Sequence, residues 1–386
     1  MKTCARGRGN PRVLSPARNS MKKIIFITRE GYGLAGARIR CYNFAREISK
    51  CGIQTEILSY CDHLGAKDGH REAEMSLFDK LKYNYSAFKR ISREKDALFY
   101  IQRINYHCLA PLLAHLLDKR MISLDLDDWE MREDPRYYLG FYPSSKAHFL
   151  TTYIARRSHF CIAASRFLHD FLLKFNKNVH YIPTGVDSEL FKPSRPGTIR
   201  KNRIVLSWIG TFHRKEHINN LKMALSCFAL LRRKYDHIYF EIVGDGIHRK
   251  DLEKIVADYH DLNIILKGWI APESIPGYLD SVDIGLFPVA ERNNFNEAKS
   301  PTKLFEYMSM EKPTVSTPIG ECRHIIKDGQ DGLLARNKAE FFSKMRMLIE
   351  NRQLAWEIGI RSRKTVESNY SLRVLGQRLC EIFSRI

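Results

Sequence analysis

The 386-residue sequence has no long apolar run, no C-x-x-C pair and no excess of acidic charge. A bilayer span needs about 20 consecutive apolar residues. The richest stretch, CLAPLLAHLL from Cys108 to Leu117, falls well short and carries Pro111 and His115, so it reads as a buried helix. Nine scattered cysteines, an odd number, argue against both a disulfide framework and a zinc site. Reduced thiols in a cytoplasm are the expectation. The first 20 residues, MKTCARGRGNPRVLSPARNS, carry a charge of +5 and no apolar core of the kind a secretory signal requires. They read as a disordered upstream extension (1–20), and Met21 then opens MKKIIFIT, a clean buried strand. Few tryptophans, four in all, accompany 44% apolar and 27% charged residues, the balance of a soluble globular protein. The chain is too long for one compact core and fits two domains.

The charge that is present is basic. The net value is +20, with 34 Lys and Arg against 20 Asp and Glu in residues 1–200, and 29 against 23 in residues 201–386. A basic surface of this kind suits an anionic membrane or a nucleic acid.

Strand-like runs alternate with helical patterns in both halves. The first half holds IIFIT (24–28), TEILSY (55–60), ALFYIQ (97–102), MISLDL (121–126), FCIAA (160–164) and VHYIP (179–183). The segment KPSRPGTIRKN follows, with no apolar pattern, and strands then resume at 203–210, 238–244, 262–268, 282–288 and 313–317. The alternation predicts parallel sheets covered by helices on both faces. The division is an α/β domain over 21–192, a linker over 193–202 and a second α/β domain over 203–368. Ligands of such sheets bind beyond the carboxyl ends of the strands, so two facing domains make a cleft.

The most telling segment is SPTKLFEYMSMEKPTVSTPIG, 300–320. Pro301 presets a helix start whose free N–H groups suit a phosphate. Lys303 adds a cation. Glu306, three residues on, projects from the same face and can accept hydrogen bonds from a ribose diol. Alone, the pair reads as a surface ion pair on an ordinary helix; the segment does not stand alone. In the first half, Gly31, Gly33 and Gly36 follow a strand and precede a helix expected near Ala37, with Arg38 and Arg40 close by. Their spacing matches the dinucleotide fingerprint in count, but no acidic residue ends the next strand. In the second half, Gly210-Thr211 with Arg214 and Lys215, Gly244-Asp245 and Trp269-Ile270 follow successive strands. Each can be turn chemistry, and all converge on one sheet edge.

YIPTGVDSELFKP (181–193), FEIVGDGIHRKDLEKI (240–255), LKGWIAPESIPGYLDSVDIGLFP (266–288) and the block from Ser300 to Ala335 resemble successive segments of family-4 retaining glycosyltransferases of GT-B fold. That likeness runs from Met21 to the C-terminus and is most specific over 181–335. It implies two Rossmann-like domains facing a central cleft, with a last segment (369–386) whose helix crosses back onto the first domain. It also implies a nucleotide-sugar donor bound mainly by the second domain, a glycan or lipid-linked acceptor bound mainly by the first, and no metal or other cofactor. Glu306 takes the place of the second Glu of the family's E-x7-E motif, the ribose ligand. The first Glu would fall at Ala298 and is missing, with Glu297 one residue out of register. Lys299 and Lys303 resemble a K-S-P-x-K branch of the motif and are expected at the diphosphate, with Pro301 and Thr302 among the donor-binding residues. Arg214 and Lys215 are displaced from the family's G-R-x5-K spacing. Where the family often presents a His after the third strand, this chain has Gln102 and Arg103, with His107 further on. Asp127 and Asp128 end the next strand and either project into the cleft or cap a helix. Arg103, Asp127 and Lys303 are the expected catalytic groups, in a reaction that relies on positioning and charge stabilisation.

KLKYNYSAFKRISREK (80–95) places Leu81, Tyr85, Phe88 and Ile91 at helical spacing amid six basic residues. Such a helix can lie on an anionic membrane, contact nucleic acid, or simply pack on a sheet with a solvated face. The frequency of lipid-linked acceptors in the resembling family favours a membrane over nucleic acid. The implied role is therefore a cytoplasmic enzyme of cell-envelope polysaccharide synthesis, peripheral to the inner face of the membrane. A GT-B nucleotide-sugar 2-epimerase and a non-catalytic nucleotide-sugar-binding scaffold are the alternatives.

Overall fold

The computed structural model describes residues 23–67, 74–131, 137–138, 142–143, 146–194 and 203–386. The N-terminal extension and most of the 193–202 linker lie outside the described residues. Two six-stranded parallel sheets form the frame. The first comprises β1 (Lys23–Thr28), β2 (Gln54–Ser59), β3 (Ala97–Gln102), β4 (Met121–Leu126), β5 (Cys161–Ala163) and β6 (Val179–Tyr181), in the order β2-β1-β3-β4-β5-β6. The second comprises β7 (Ile204–Ile209), β8 (Ile238–Val243), β9 (Ile264–Gly268), β10 (Ile284–Phe287), β11 (Thr314–Ser316) and β12 (Leu333–Leu334), in the order β9-β8-β7-β10-β11-β12. The latter is the doubly wound order of nucleotide-binding sheets, with its direction reversing between β7 and β10. Tyr137–Tyr138 and Tyr142–Pro143 add a small antiparallel pair.

Seven helical segments matter for function. Segment α1 joins Ala35–Ala37, a π-helical turn Arg38–Asn43 and Phe44–Ser49. The others are α2 (Leu77–Ile91), α3 (Leu109–Asp118), α4 (Arg166–Leu173), α5 (Lys215–Arg232), α6 (Thr302–Ser309) and α7 (Leu372–Phe383).

Strand alternation decides which helix covers which face. Ile25 and Ile27 of β1 point to the side where Ala87 and Ile91 of α2 and Ala110 and Ala114 of α3 are buried. Ile24 and Phe26 point to the other side, against Phe44 of α1 and Leu375, Leu379 and Phe383 of α7. The C-terminal helix therefore does cross back onto the first sheet. Each such fully buried apolar side chain contributes about 1.5–3 kcal/mol. A bidentate ion pair between Arg40 and Asp125, both fully buried, ties α1 to β4, and Arg40 also donates to the Ile182 carbonyl at 2.6 Å.

Three readings of the sequence need correction. Cys51 and Cys380 form a disulfide across 329 residues of sequence, where only reduced thiols were expected. Spacing arithmetic cannot find this pair, because only the return of α7 onto α1 brings the two together. The apolar segment at 108–117 is not a buried helix, since α3 leaves Leu109, Leu113, Leu116 and Leu117 exposed. The run at 55–60 ends one residue earlier as strand, because Ser59 accepts the Asp62 N–H at 3.0 Å and starts a short helix at Tyr60. The two-residue strand β12 is too short to leave a periodic signal.

Candidate active site

A cleft lies between the carboxyl ends of the two sheets, with about 1080 Å³ of empty space including its open mouth. From the first sheet come Gly33 and Arg38, on the turn and helix after β1. Opposite them stand Gly210 and Thr211 after β7, Gly244 after β8, and Trp269 and Ile270 after β9. Thr302, Lys303 and Glu306 of α6 complete the floor.

Glycine is required where these turns meet. Gly244 has φ of +140°, and a β-carbon on it would lie 1.8 Å from the Gly210 carbonyl oxygen. Its N–H donates to Gly268 at 2.8 Å, and the Gly210 N–H donates to Val243 at 3.0 Å. The two turns are thus stacked with bare backbone facing the cleft, the surface a phosphate or sugar can approach closely. Trp269 beside them is 56% exposed.

Pro301 caps α6, and no side chain bonds to the first N–H groups of that helix. No ion pair between Lys303 and Glu306 forms among the described residues: Glu306 is only 7% exposed, and its carboxylate makes no hydrogen bond there. Burial pushes its carboxyl above the ordinary value, with Lys303 and Arg38 pulling the other way. The carboxylate opens onto the cleft with no protein donor engaged, so it is available to a ligand with hydroxyl groups.

Arg38 donates to the carbonyls of Tyr32 and Gly33 at 3.3 and 3.1 Å, which fixes its guanidinium at the rim. The glycine turn is itself pinned by Asp62, which accepts the Tyr32 N–H at 2.9 Å and also bonds Tyr42.

Several expected residues lie elsewhere. Arg103 and Asp127 are bound to each other at 2.6 and 3.0 Å, behind the glycine turn, and Arg103 lines a small side pocket with Glu30 and His107. Burial alone would raise the Asp127 carboxyl, but the Arg103 guanidinium holds it below the usual carboxylate range. Arg103 has φ of +61°, an uncommon setting for a non-glycine residue that places its side chain against Asp127. Asp128 caps no helix and instead accepts the Trp129 N–H at 2.9 Å. His107 is fully buried, its pKa driven down to about 3 by burial, and it faces the Gln102 carbonyl at 3.0 Å rather than the cleft.

Lys299 and Arg214 each stand 3.9 Å from the centroid of the Phe295 ring, one layer behind Thr211. Lys299 also reaches His217 Nε2 at 3.3 Å, while His217 Nδ1 donates to the Thr211 carbonyl at 2.6 Å. Lys215 is the first residue of α5, and Asp245 is turned to the Gly246 N–H at 2.8 Å and to Arg249. Glu297, out of register for the motif, is engaged by Arg292 and Arg323, each at 2.7 Å.

The residues not foreseen are those that join the halves. Glu321 after β11 bonds Arg166 and Tyr181, and Ser300 Oγ accepts the Thr184 N–H at 2.9 Å. Partners more than a hundred residues apart leave no local pattern to read.

Residues 203–351 match the family described as glycosyl transferases group 1. A Bacillus subtilis (strain 168) protein named as a teichuronic acid biosynthesis glycosyltransferase, TuaH, is 29% identical over 150 residues, 36% of this chain and 34% of that protein. The α-D-kanosaminyltransferase of Streptomyces kanamyceticus is 24% identical over 162 residues, 41% of this chain and 40% of that protein. The matches thus span well under half the length of these curated relatives. Among solved structures, the Anabaena protein HepE with UDP-glucose superposes with a TM-score of 0.69 at 16% identity, covering 94% of this chain and all of HepE. Sucrose-phosphate synthase from Thermosynechococcus elongatus gives 0.70 at 13% identity, covering 94% and 98%. The match to the group 1 glycosyl transferases thus rests on residues 203–351, and the two facing Rossmann-like sheets give the chain the GT-B fold.

Proposed function

We propose that the protein is a retaining glycosyltransferase that moves a sugar from a nucleotide-sugar donor to a glycan or lipid-linked acceptor in the synthesis of a cell-envelope polysaccharide. The observation that carries this reading is Glu306, a mostly buried residue whose carboxylate opens onto the cleft with no protein donor, one helical turn from Lys303. The donor is held by residues 203–368, with its ribose on Glu306, its diphosphate at the head of α6 near Lys303, and its base beside Trp269. Residues 21–192 hold the acceptor. Lys299, one layer back, adds positive charge through His217 and Thr211. HepE is solved with UDP-glucose, and TuaH is named for an envelope polymer, which supports both halves of the proposal.

The protein's contribution to the reaction is electrostatic. As the sugar–phosphate bond breaks, negative charge grows on the diphosphate, and fixed cations and N–H groups there lower the barrier without having to reorganise. The leaving diphosphate takes the acceptor proton on the same face, which keeps the anomeric configuration and calls for no enzyme nucleophile.

Radiolabelled nucleotide sugars, incubated with and without a membrane extract, test the proposal. Label moving to product only when acceptor is supplied is the expected result. Release or isomerisation of the sugar without acceptor would mark a hydrolase or epimerase, and binding without turnover a scaffold protein.

A further inference from the structure

The outer faces of α2 and α3 are apolar, and their position gives them a use. Both helices bury one stripe in the core on the Ile25 side of the first sheet, so they lie next to each other, each with a second apolar stripe turned to the outside. On α2 the outward stripe is Leu77, Phe78, Leu81 and Tyr85, at positions i, i+1, i+4 and i+8. On α3 it is Leu109, Leu113, Leu116 and Leu117, at i, i+4, i+7 and i+8. Leu77 and Phe78 are each 74% exposed, Tyr85 70% and Leu117 68%. Half of the sixteen exposed large apolar residues among the described residues sit on these two helices. Scattered exposure is normal, but concentration of this kind marks a contact surface.

Charge identifies the occupant. Lys82 and Lys89 stand exposed on the turns beside the α2 stripe, with Arg93 beyond its end and Lys119 following α3, while Arg90 is paired with Glu56 at 2.7 Å. Within α2 there are four basic residues and one acidic, Asp79, which is used in capping the helix with Ser76. We propose that this face docks on an anionic lipid bilayer, with the leucines and aromatic rings in the acyl boundary and the lysines at the headgroup level. No helix among the described residues can cross a membrane, so attachment by this face would be peripheral. In a parallel sheet a helix starts at the carboxyl end of the preceding strand, the edge that the cleft occupies. The first turns of α2 and α3 therefore bring the acceptor half of the cleft to the lipid surface. The docking stands independently of the sugar-transfer proposal, because it can be measured without donor or acceptor.

The test is sedimentation of the full chain with vesicles of phosphatidylcholine alone and with phosphatidylglycerol added. Binding to the anionic vesicles that weakens with salt is expected. Two variants separate the contributions: Lys82→Gln with Lys89→Gln should bind about 30-fold more weakly at low salt, and Phe78→Ser with Leu117→Ser should bind at least about tenfold more weakly. All four positions are exposed, and unchanged nucleotide affinity shows that the variants are folded. No vesicle binding at low salt, equal binding to neutral vesicles, or a dimer that falls apart in the Phe78/Leu117 variant without any vesicle binding would overturn the proposal.

Discussion

Glu321 of the second sheet's domain is bound to Arg166 of the first through both the backbone N–H and the guanidinium of that residue, each at 2.6 Å. Tyr181 donates to the same carboxylate at 2.7 Å. The two partners are unequally placed, since Glu321 is 2% exposed while the Arg166 side chain reaches solvent along one side. Removing one partner of a buried pair is costly chiefly when the charge left behind cannot be hydrated. Arg166→Ala should therefore destabilise the protein by about 3 kcal/mol. Glu321→Ala, which leaves a cation that water can reach, should cost about half of that. Chemical denaturation of the two variants checks the order, and equal costs would show that the contact is not what joins the domains.

Lys299 gives a pH signature. Burial, with Arg214 adding to it and Asp128 opposing it, lowers its pKa from 10.5 to about 8. The unfolded chain thus binds this proton more tightly than the folded protein, so Lys299 costs stability below about pH 8, and the cost fades as pH rises toward 10.5. Lys299→Met should raise the melting temperature relative to wild type at pH 7, and the difference should shrink by pH 10. If Lys299 also assists the diphosphate, wild-type donor affinity falls between pH 7 and pH 9, and the variant shows no such fall. Calorimetry across that range measures it.

The Cys51–Cys380 disulfide fastens the returning helix α7 to α1. A cross-link over so long a loop restricts the unfolded chain, typically contributing about 2–4 kcal/mol. Cys380→Ser, or reductant added to wild type, should lower denaturation stability by that amount. An identical midpoint with and without reductant would mean that the pair is not formed in solution.

The fold was legible because both sheets are made of short β-branched runs at regular intervals, such as IIFIT and RIVLSWIG, separated by helical patterns. The nucleotide side of the cleft was legible for a related reason: Gly210, Gly244, Trp269 and the α6 residues each directly follow a strand or open a helix, so local order places them on one edge. Arg103 and Asp127 were located on the right strand ends, but sequence gives no sign that they bind each other. That depends on the order β1-β3-β4 and on the setting of one backbone angle. Glu321, Cys380 and the α3 part of the α2–α3 face were out of reach for a common reason. Their partners, or the absence of one, are decided by packing between segments far apart in the chain.

Titration calorimetry of UDP and GDP into wild type, Glu306→Ala and Lys303→Ala tests the account most directly. The account predicts binding of one of these nucleotides by wild type. It also predicts a loss of about 1.5–3 kcal/mol in each variant, from a ribose hydroxyl left without its acceptor and a phosphate left without its cation. Unchanged affinity in both variants would contradict the placement of the donor on α6.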